Sequence, residues 1–129
     1  MSFEVIETTN APAPGGAYSQ AVKGGGLVSF SGQVGLEPDS GALADGVAAQ
    51  TRQALKNLDA VLKAAHVSKG DVIKTTCFLT DIANFAEFNK EYEDFFGPYK
   101  PARSTVGVGL AGSYLIEIEA FAIVPETQP

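Results

Sequence analysis

One run near the end of the chain constrains the fold more than any other. From Tyr114 to Val124 the residues alternate as in a β-strand, yet both faces carry apolar side chains. Ile116, Ile118, Ala120, Ala122 and Val124 point one way; Glu117, Glu119, Phe121 and Ile123 point the other. Neither face of the sheet that holds this strand is therefore wholly wet. Either the second face meets another subunit, the reading preferred here, or Phe121 and Ile123 sit under a loop.

The rest of the chain supplies strands and helices to go with it. Glu4–Thr8 alternates weakly and predicts an edge strand, and the Pro- and Gly-rich Ala11–Gly16 is a loop. Ala21–Val22 begins a short strand. Gly24-Gly25-Gly26 reads as a hairpin turn into the strand Leu27–Ser31; a phosphate cradle would need a following Lys-Ser/Thr and a helix start, which are missing. After a loop at Glu37–Gly46, the spacing of Val47, Ala54, Leu55, Leu58, Val61, Leu62 and Ala65 predicts a helix over Val47–Ala65, with Gly70 as a stop signal. The β-branched run Val72–Thr80 is a strand. Asp81 reads as an N-cap for a helix over Ile82–Phe96, ended by Gly97-Pro98, with Ile82, Phe85, Phe88, Tyr92 and Phe95 on one face. Arg103–Val108 and Tyr114–Val124 are expected to pair as a hairpin across Gly109–Ser113, and the tail Pro125–Pro129 to be loose. The order is strands, helix, strand, helix, strand, strand. Right-handed crossovers would set both helices on one face of a mixed α+β sheet and leave the other face open.

A chain of 129 residues is the size of one domain, 1–129, with room for a core of its own. The net charge of −6 and pI of about 4.6 repel phosphate backbones at long range, which disfavours a general nucleic-acid binder. Cys77 is the only cysteine, so no intrachain disulfide forms, in keeping with a reducing compartment. The start, Met1-Ser2-Phe3-Glu4-Val5, shows no basic n-region of a secretory signal, and no stretch approaches the ~20 apolar residues of a membrane helix. The cytosol is the expected location, with no membrane partner.

Few residues are candidates for chemistry. Glu117 and Glu119 share a face with apolar neighbours, where a carboxylate asks for a cation or donors. In the expected hairpin, Arg103 and Thr105 lie within cross-strand reach of them. That arrangement is either a plain ion pair on a solvated edge or a site. Arg103 has a second reading: its planar fork of donors matches a carboxylate, and it follows Pro101-Ala102 at a strand entrance beside a loop. Cys77 lies mid-strand as a core thiol, and His66 is a helix-end residue. One histidine and one cysteine are too few for the usual zinc sets. The row Phe85, Phe88, Tyr92 and Phe95 reads as core; Glu87, Lys90, Glu91, Glu93 and Asp94 read as the wet side of the same helix.

Several segments together resemble the RidA (YjgF-type) family. They are Gly16-Ala17-Tyr18-Ser19-Gln20, Ser31-Gly32-Gln33, Lys74-Thr75-Thr76-Cys77-Phe78-Leu79-Thr80-Asp81, Phe85-Ala86-Glu87-Phe88-Asn89, Tyr92-Glu93-Asp94-Phe95-Phe96, Pro101-Ala102-Arg103-Ser104 and Ile116-Glu117-Ile118-Glu119-Ala120, in the family's order across nearly the whole chain. The resemblance implies a chorismate-mutase-like α+β fold assembled as a homotrimer with clefts between subunits. It also implies hydrolysis of reactive 2-imino or enamino acids, released by pyridoxal-phosphate enzymes, to 2-oxo acids and ammonia, with no metal or cofactor. By position, Arg103 would bind the substrate carboxylate and Glu117 would activate the attacking water. Tyr18, Ser31, Asn89 and Thr105 would line the cleft, with Gly32 giving backbone at its floor. The chain departs from the family in Ala17 for the usual proline, Thr105 for a frequent cysteine, and Leu110-Ala111-Gly112 where Leu-Pro is usual.

Two other classes stay open at this point. One is a metabolite-binding or regulatory module using the same cleft without turnover. The other is a ribonuclease or translation inhibitor, against which the acidic charge and the lack of a basic stripe both argue.

Overall fold

The computed structural model describes residues 2–126. Its strands are β1 (Glu4–Ile6), β2 (Ala21–Gly24), β3 (Leu27–Gln33), β4 (Val72–Leu79), β5 (Ala102–Gly107) and β6 (Ile116–Ile123), and its helices α1 (Val47–Ala64) and α2 (Phe85–Phe96). Of the expected loose tail, residues 127–129 lie outside the described residues, as does Met1. No helix is long and apolar enough to cross a membrane among the described residues.

The six strands form one mixed sheet in the order β1-β2-β3-β6-β4-β5. Gly25 and Gly26 join β2 to β3, both at positive φ (60° and 79°), as a two-residue primed turn requires. β6 lies between β3 and β4 and pairs antiparallel with both, while β5 pairs parallel with β4. The alternation read in the last strand holds: Ile116, Ile118, Ala120 and Ala122 are buried, and Phe121 and Ile123 are exposed. The buried face meets α1, through Ala54, Leu55, Leu58, Val61 and Leu62, and α2, through Phe88, Tyr92 and Phe96. The two helices pack side by side on that face, linked at the surface by Arg52 and Glu91 at 2.6 Å. Cys77 is wholly buried, and burial raises its thiol pKa to about 11, so it is an inert core thiol.

The expected hairpin between the last two strands does not form. β4 stands between β5 and β6. The connecting loop instead arcs over the end of β4, where Val108 N–H donates to the Leu79 carbonyl (2.9 Å) and Thr80 N–H to that of Leu115 (3.1 Å). The second helix also starts later than its spacing suggests. Asp81 caps a 3₁₀ turn, Ile82–Asn84, by accepting from Ala83 N–H, and the α-helix proper begins at Phe85, leaving Ile82 exposed. Phe96, rather than Phe95, is the fully buried aromatic of its last turn.

His66 does end a helix, in an unusual conformation. Its φ is 61°, left-handed, and it occupies the position after the cap of α1. Val67 N–H reaches the Leu62 carbonyl and His66 N–H that of Lys63, both at 3.0 Å, which is the paired bonding glycine normally makes possible. A residue with a Cβ there costs roughly 1–2 kcal/mol. His66 is exposed and its side chain makes no hydrogen bond or ion pair among the described residues, so His66→Gly should stabilise the fold by about 1 kcal/mol, read as a higher urea midpoint at unchanged slope.

Candidate active site

Glu117 is built from the centre of the sheet outward. It projects from β6 onto the face opposite the helices, in register with Phe78. On its other flank β3 carries an irregularity between Phe30 and Gln33, which sets Gly32 beneath the glutamate. A Cβ on Gly32 would overlap the Glu117 carboxylate and sit 2.8 Å from its Cγ. Only glycine lets this carboxylate lie across the strand. Burial, and secondarily the charge of Glu119 beside it, raise the Glu117 pKa above the usual carboxylate range.

The loop before β2 closes this corner. Buried Gln20 holds it, accepting from Thr8 N–H (2.8 Å) and donating to the carbonyls of Thr8 (3.0 Å) and Pro12 (2.9 Å). Ser31 Oγ donates to the Ser19 carbonyl at 2.6 Å. Tyr18, 54% exposed, is thereby presented over Glu117; the two share a cleft of about 250 Å³ with Gly32, Leu36, Ala111 and Tyr114, and a second of about 310 Å³ with Ser31, Gly32 and Glu119.

Arg103 lies elsewhere. It stands on β5 in register with Thr75 of β4, on the helix-bearing face. Its Nη1 donates to Asn89 Oδ1 at 2.7 Å, and its Cζ lies 4.7 Å from the Tyr92 ring centre and 5.4 Å from that of Phe85. No carboxylate lies within ion-pair distance of it among the described residues. A cleft of about 640 Å³ opens beside it, lined also by Asn89, Tyr92, Tyr99 and Lys100. Thr105, two residues on, has a buried Oγ1 with no hydrogen-bond partner, the one such side-chain atom among the described residues.

The structure thus gathers the candidates into two groups. Tyr18, Ser31, Gly32 and Glu117 share one place; Arg103, Asn89 and Thr105 share another. The expected cross-strand proximity of Arg103 and Thr105 to the glutamates fails, because β4 intervenes and the side chains leave opposite faces. Two strand spacings separate Arg103 from Glu117 across the sheet, roughly 10 Å, with about as much again along it. A small ligand cannot touch both in one chain. Sequence reasoning gave no role to Gln20 or Tyr114 and read Tyr92 as core alone. Tyr92 carries a signal in hindsight, since Phe85, Asn89 and Tyr92 follow the spacing of one helix face.

A family model described as Endoribonuclease L-PSP matches residues 8–124. The chain is similar to a RutC family protein of Pyrococcus horikoshii, 48% identical over 92% of this chain and 96% of that one. It is also similar to the 2-iminobutanoate/2-iminopropanoate deaminase of Salmonella typhimurium, 45% identical over 93% and 97%. Among solved structures, E. coli TdcF with bound serine superposes with a TM-score of 0.91 at 40% identity, covering 95% of this chain and 99% of that one.

Burial of Glu117 makes its contribution to stability depend on pH. The folded chain holds this proton more tightly than the unfolded chain, so its contribution is fully present at low pH. It is lost as pH rises from the usual carboxylate range through the folded pKa. Glu117→Gln should flatten that segment of the stability–pH curve in urea titrations. Glu119→Gln should lower the Glu117 pKa, read by carboxyl carbon NMR, because it removes the neighbouring charge.

Proposed function

Because the chain belongs to the endoribonuclease L-PSP family, the RidA (YjgF-type) proteins, we propose that it hydrolyses 2-imino and enamino acids to 2-oxo acids and ammonia. The observation that carries the reading is Arg103: a half-buried guanidinium on two aromatic rings, without a carboxylate partner among the described residues, beside an open cleft. Such a group is suited to an external carboxylate. The serine in the solved relative is an amino acid, with the carboxylate and C2 nitrogen that a 2-imino acid also has. The deaminase name of the Salmonella relative supports the same substrate class.

In the proposed reaction Arg103 clamps the carboxylate and so fixes C2. Glu117 accepts a proton from a water as its oxygen bonds to C2 and passes that proton to the imine nitrogen, giving a carbinolamine; a second transfer, from the new hydroxyl to the amine, accompanies its collapse. The carbinolamine then collapses, the C–N bond breaks, ammonia leaves, and C2 becomes a carbonyl. A carboxylate with a raised pKa is a stronger base than a solvated one, which suits this role. The imine is already electrophilic, so the proposed step calls for no metal or cofactor. Tyr18, Ser31, Asn89 and Thr105 would line the cleft, and Gly32 would keep it open beneath Glu117. A reducing, cytosolic setting is part of this reading, compatible with the unpaired thiol of Cys77.

The separation of Arg103 from Glu117 shapes the assembly we propose. The Glu117 group of one copy would meet the Arg103 group of the next, in clefts between the subunits of a homotrimer. Leu27, Phe121, Ile123 and Val106, exposed on the sheet face away from the helices, support this contact. The family description names an endoribonuclease, but a chain of net charge −6 is poorly suited to a polyanion.

The test is a coupled assay in which an amino-acid oxidase or dehydratase generates the imine and its decay is followed. Wild type should accelerate the decay. Arg103→Lys, which keeps the charge and loses the fork, should abolish carboxylate binding with little loss of stability. Glu117→Gln should slow turnover by ~10²-fold or more while binding survives. Turnover by folded Arg103→Lys at the wild-type rate would leave Arg103 a structural residue. Light scattering that gives a monomer at micromolar concentration would remove the shared cleft.

A further inference from the structure

Arg103 ends in a flexible chain, yet it is held from three directions by one face of one helix. Phe85, Asn89 and Tyr92 occupy positions i, i+4 and i+7 of α2. Asn89 takes Nη1 at 2.7 Å, and the two rings lie within cation–π range at 5.4 and 4.7 Å. Tyr92 itself is fixed at its far end. Its hydroxyl is 2.7 Å from Thr75 Oγ1, and Thr75 is the residue paired with Arg103 across β4 and β5. Phe88 and Phe96 pack against the Tyr92 ring at 5.7 and 4.7 Å between centres.

Resting on the reading that Arg103 receives the substrate carboxylate, we infer that Tyr92, anchored by Thr75, is the positioning residue that sets the plane of the Arg103 guanidinium. The ring fixes its height above the sheet, and Asn89 fixes its rotation by taking one nitrogen. The remaining N–H groups are left to face the cleft, where Tyr92 also forms part of the wall. Burial raises the Tyr92 pKa, so the phenol stays protonated and acts through its ring face and its hydrogen bond, not as a proton carrier. Without this support the arginine would sample rotamers in which its fork misses the carboxylate, and each binding event would have to select the competent one. Phe88 and Phe96, on the same helix, are buried and make no cation–π contact with the guanidinium, and Phe85 lies farther from it, at 5.4 Å against 4.7 Å, with no hydrogen bond to anchor its ring. The role therefore belongs to Tyr92 rather than to the aromatic row in general.

The test compares wild type, Tyr92→Leu, Tyr92→Phe and Thr75→Val. The carboxylate contact exists in both the bound substrate and the transition state, so its misplacement should appear in KM more than in kcat. Tyr92→Leu should raise KM and weaken 2-oxobutanoate binding about tenfold, and Tyr92→Phe, which keeps the ring but loses its anchor, should recover only part of that loss. Thr75→Val retains volume and the ring but frees the hydroxyl; it keeps the test open should Tyr92→Leu fail to fold. In it, the ring-current shift of the Arg103 Nε–H signal in NMR should diminish relative to wild type. Unchanged KM and 2-oxobutanoate affinity in folded Tyr92→Leu, or an unchanged Arg103 signal in Thr75→Val, overturns the inference. Failure of the underlying reading looks different: Arg103→Ala then binds 2-oxobutanoate as wild type does, whatever the Tyr92 variants show.

Discussion

The insertion of β6 between β3 and β4 is the constraint on which the rest of the structure depends. The chain makes β3, crosses through α1 and lays down β4 two strand spacings away, leaving a gap that only the last strand fills. Until β6 arrives, Val28, Phe30, Cys77 and Leu79 have no shared neighbour on the sheet. Once it arrives, Ile116, Ile118, Ala120 and Ala122 complete the layer under α1 and α2. A pairing this distant in sequence carries a large loop-closure cost, which burial of a strand with one wholly apolar face offsets.

The same insertion determines where chemistry can occur. Placing β6 beside β3 brings Glu117 over Gly32, so a single absent Cβ and the irregularity in β3 leave room for a partly buried carboxylate. Placing β6 beside β4 excludes β5 from contact with it and turns Arg103 toward α2. The acidic and basic halves of the candidate site are therefore products of one topological event that holds them apart. Each half is supported by a buried network: Gln20 and Ser31 behind Tyr18, and Thr75 and Tyr92 behind Arg103. Groups this well supported sample few rotamers, which is what the proposed reaction of a small imine would need.

Much was legible beforehand wherever the signal was local. The rhythm of Val47 to Leu62 specified α1, the triple glycine specified a turn with two positive φ values, and the alternation of Ile116 to Ile123 separated the buried from the exposed face residue by residue. Asp81 announced a cap, although a 3₁₀ turn intervenes before the α-helix, because its side chain captures Ala83 N–H first. Where the expectation failed, the missing information was a partner far away in sequence. Gly109–Ser113 has the composition of a hairpin turn, but composition does not record whether the two strands it joins are neighbours.

The amino-acid sequence by itself determined most of the elements and their apolar faces, the acidic charge and the motifs that place the chain in its family, since all of these follow from neighbours along the chain. Only the tertiary structure decided which strands pair. With that pairing it decided that Arg103 leans on Phe85, Asn89 and Tyr92 instead of on Glu117 and Glu119. The physical reason is that a strand's alternation says which residues share a face but not which face of which neighbour they will meet. That choice is made by the core as a whole, when β6 satisfies the backbone groups of β3 and β4 together and leaves β5 at the edge.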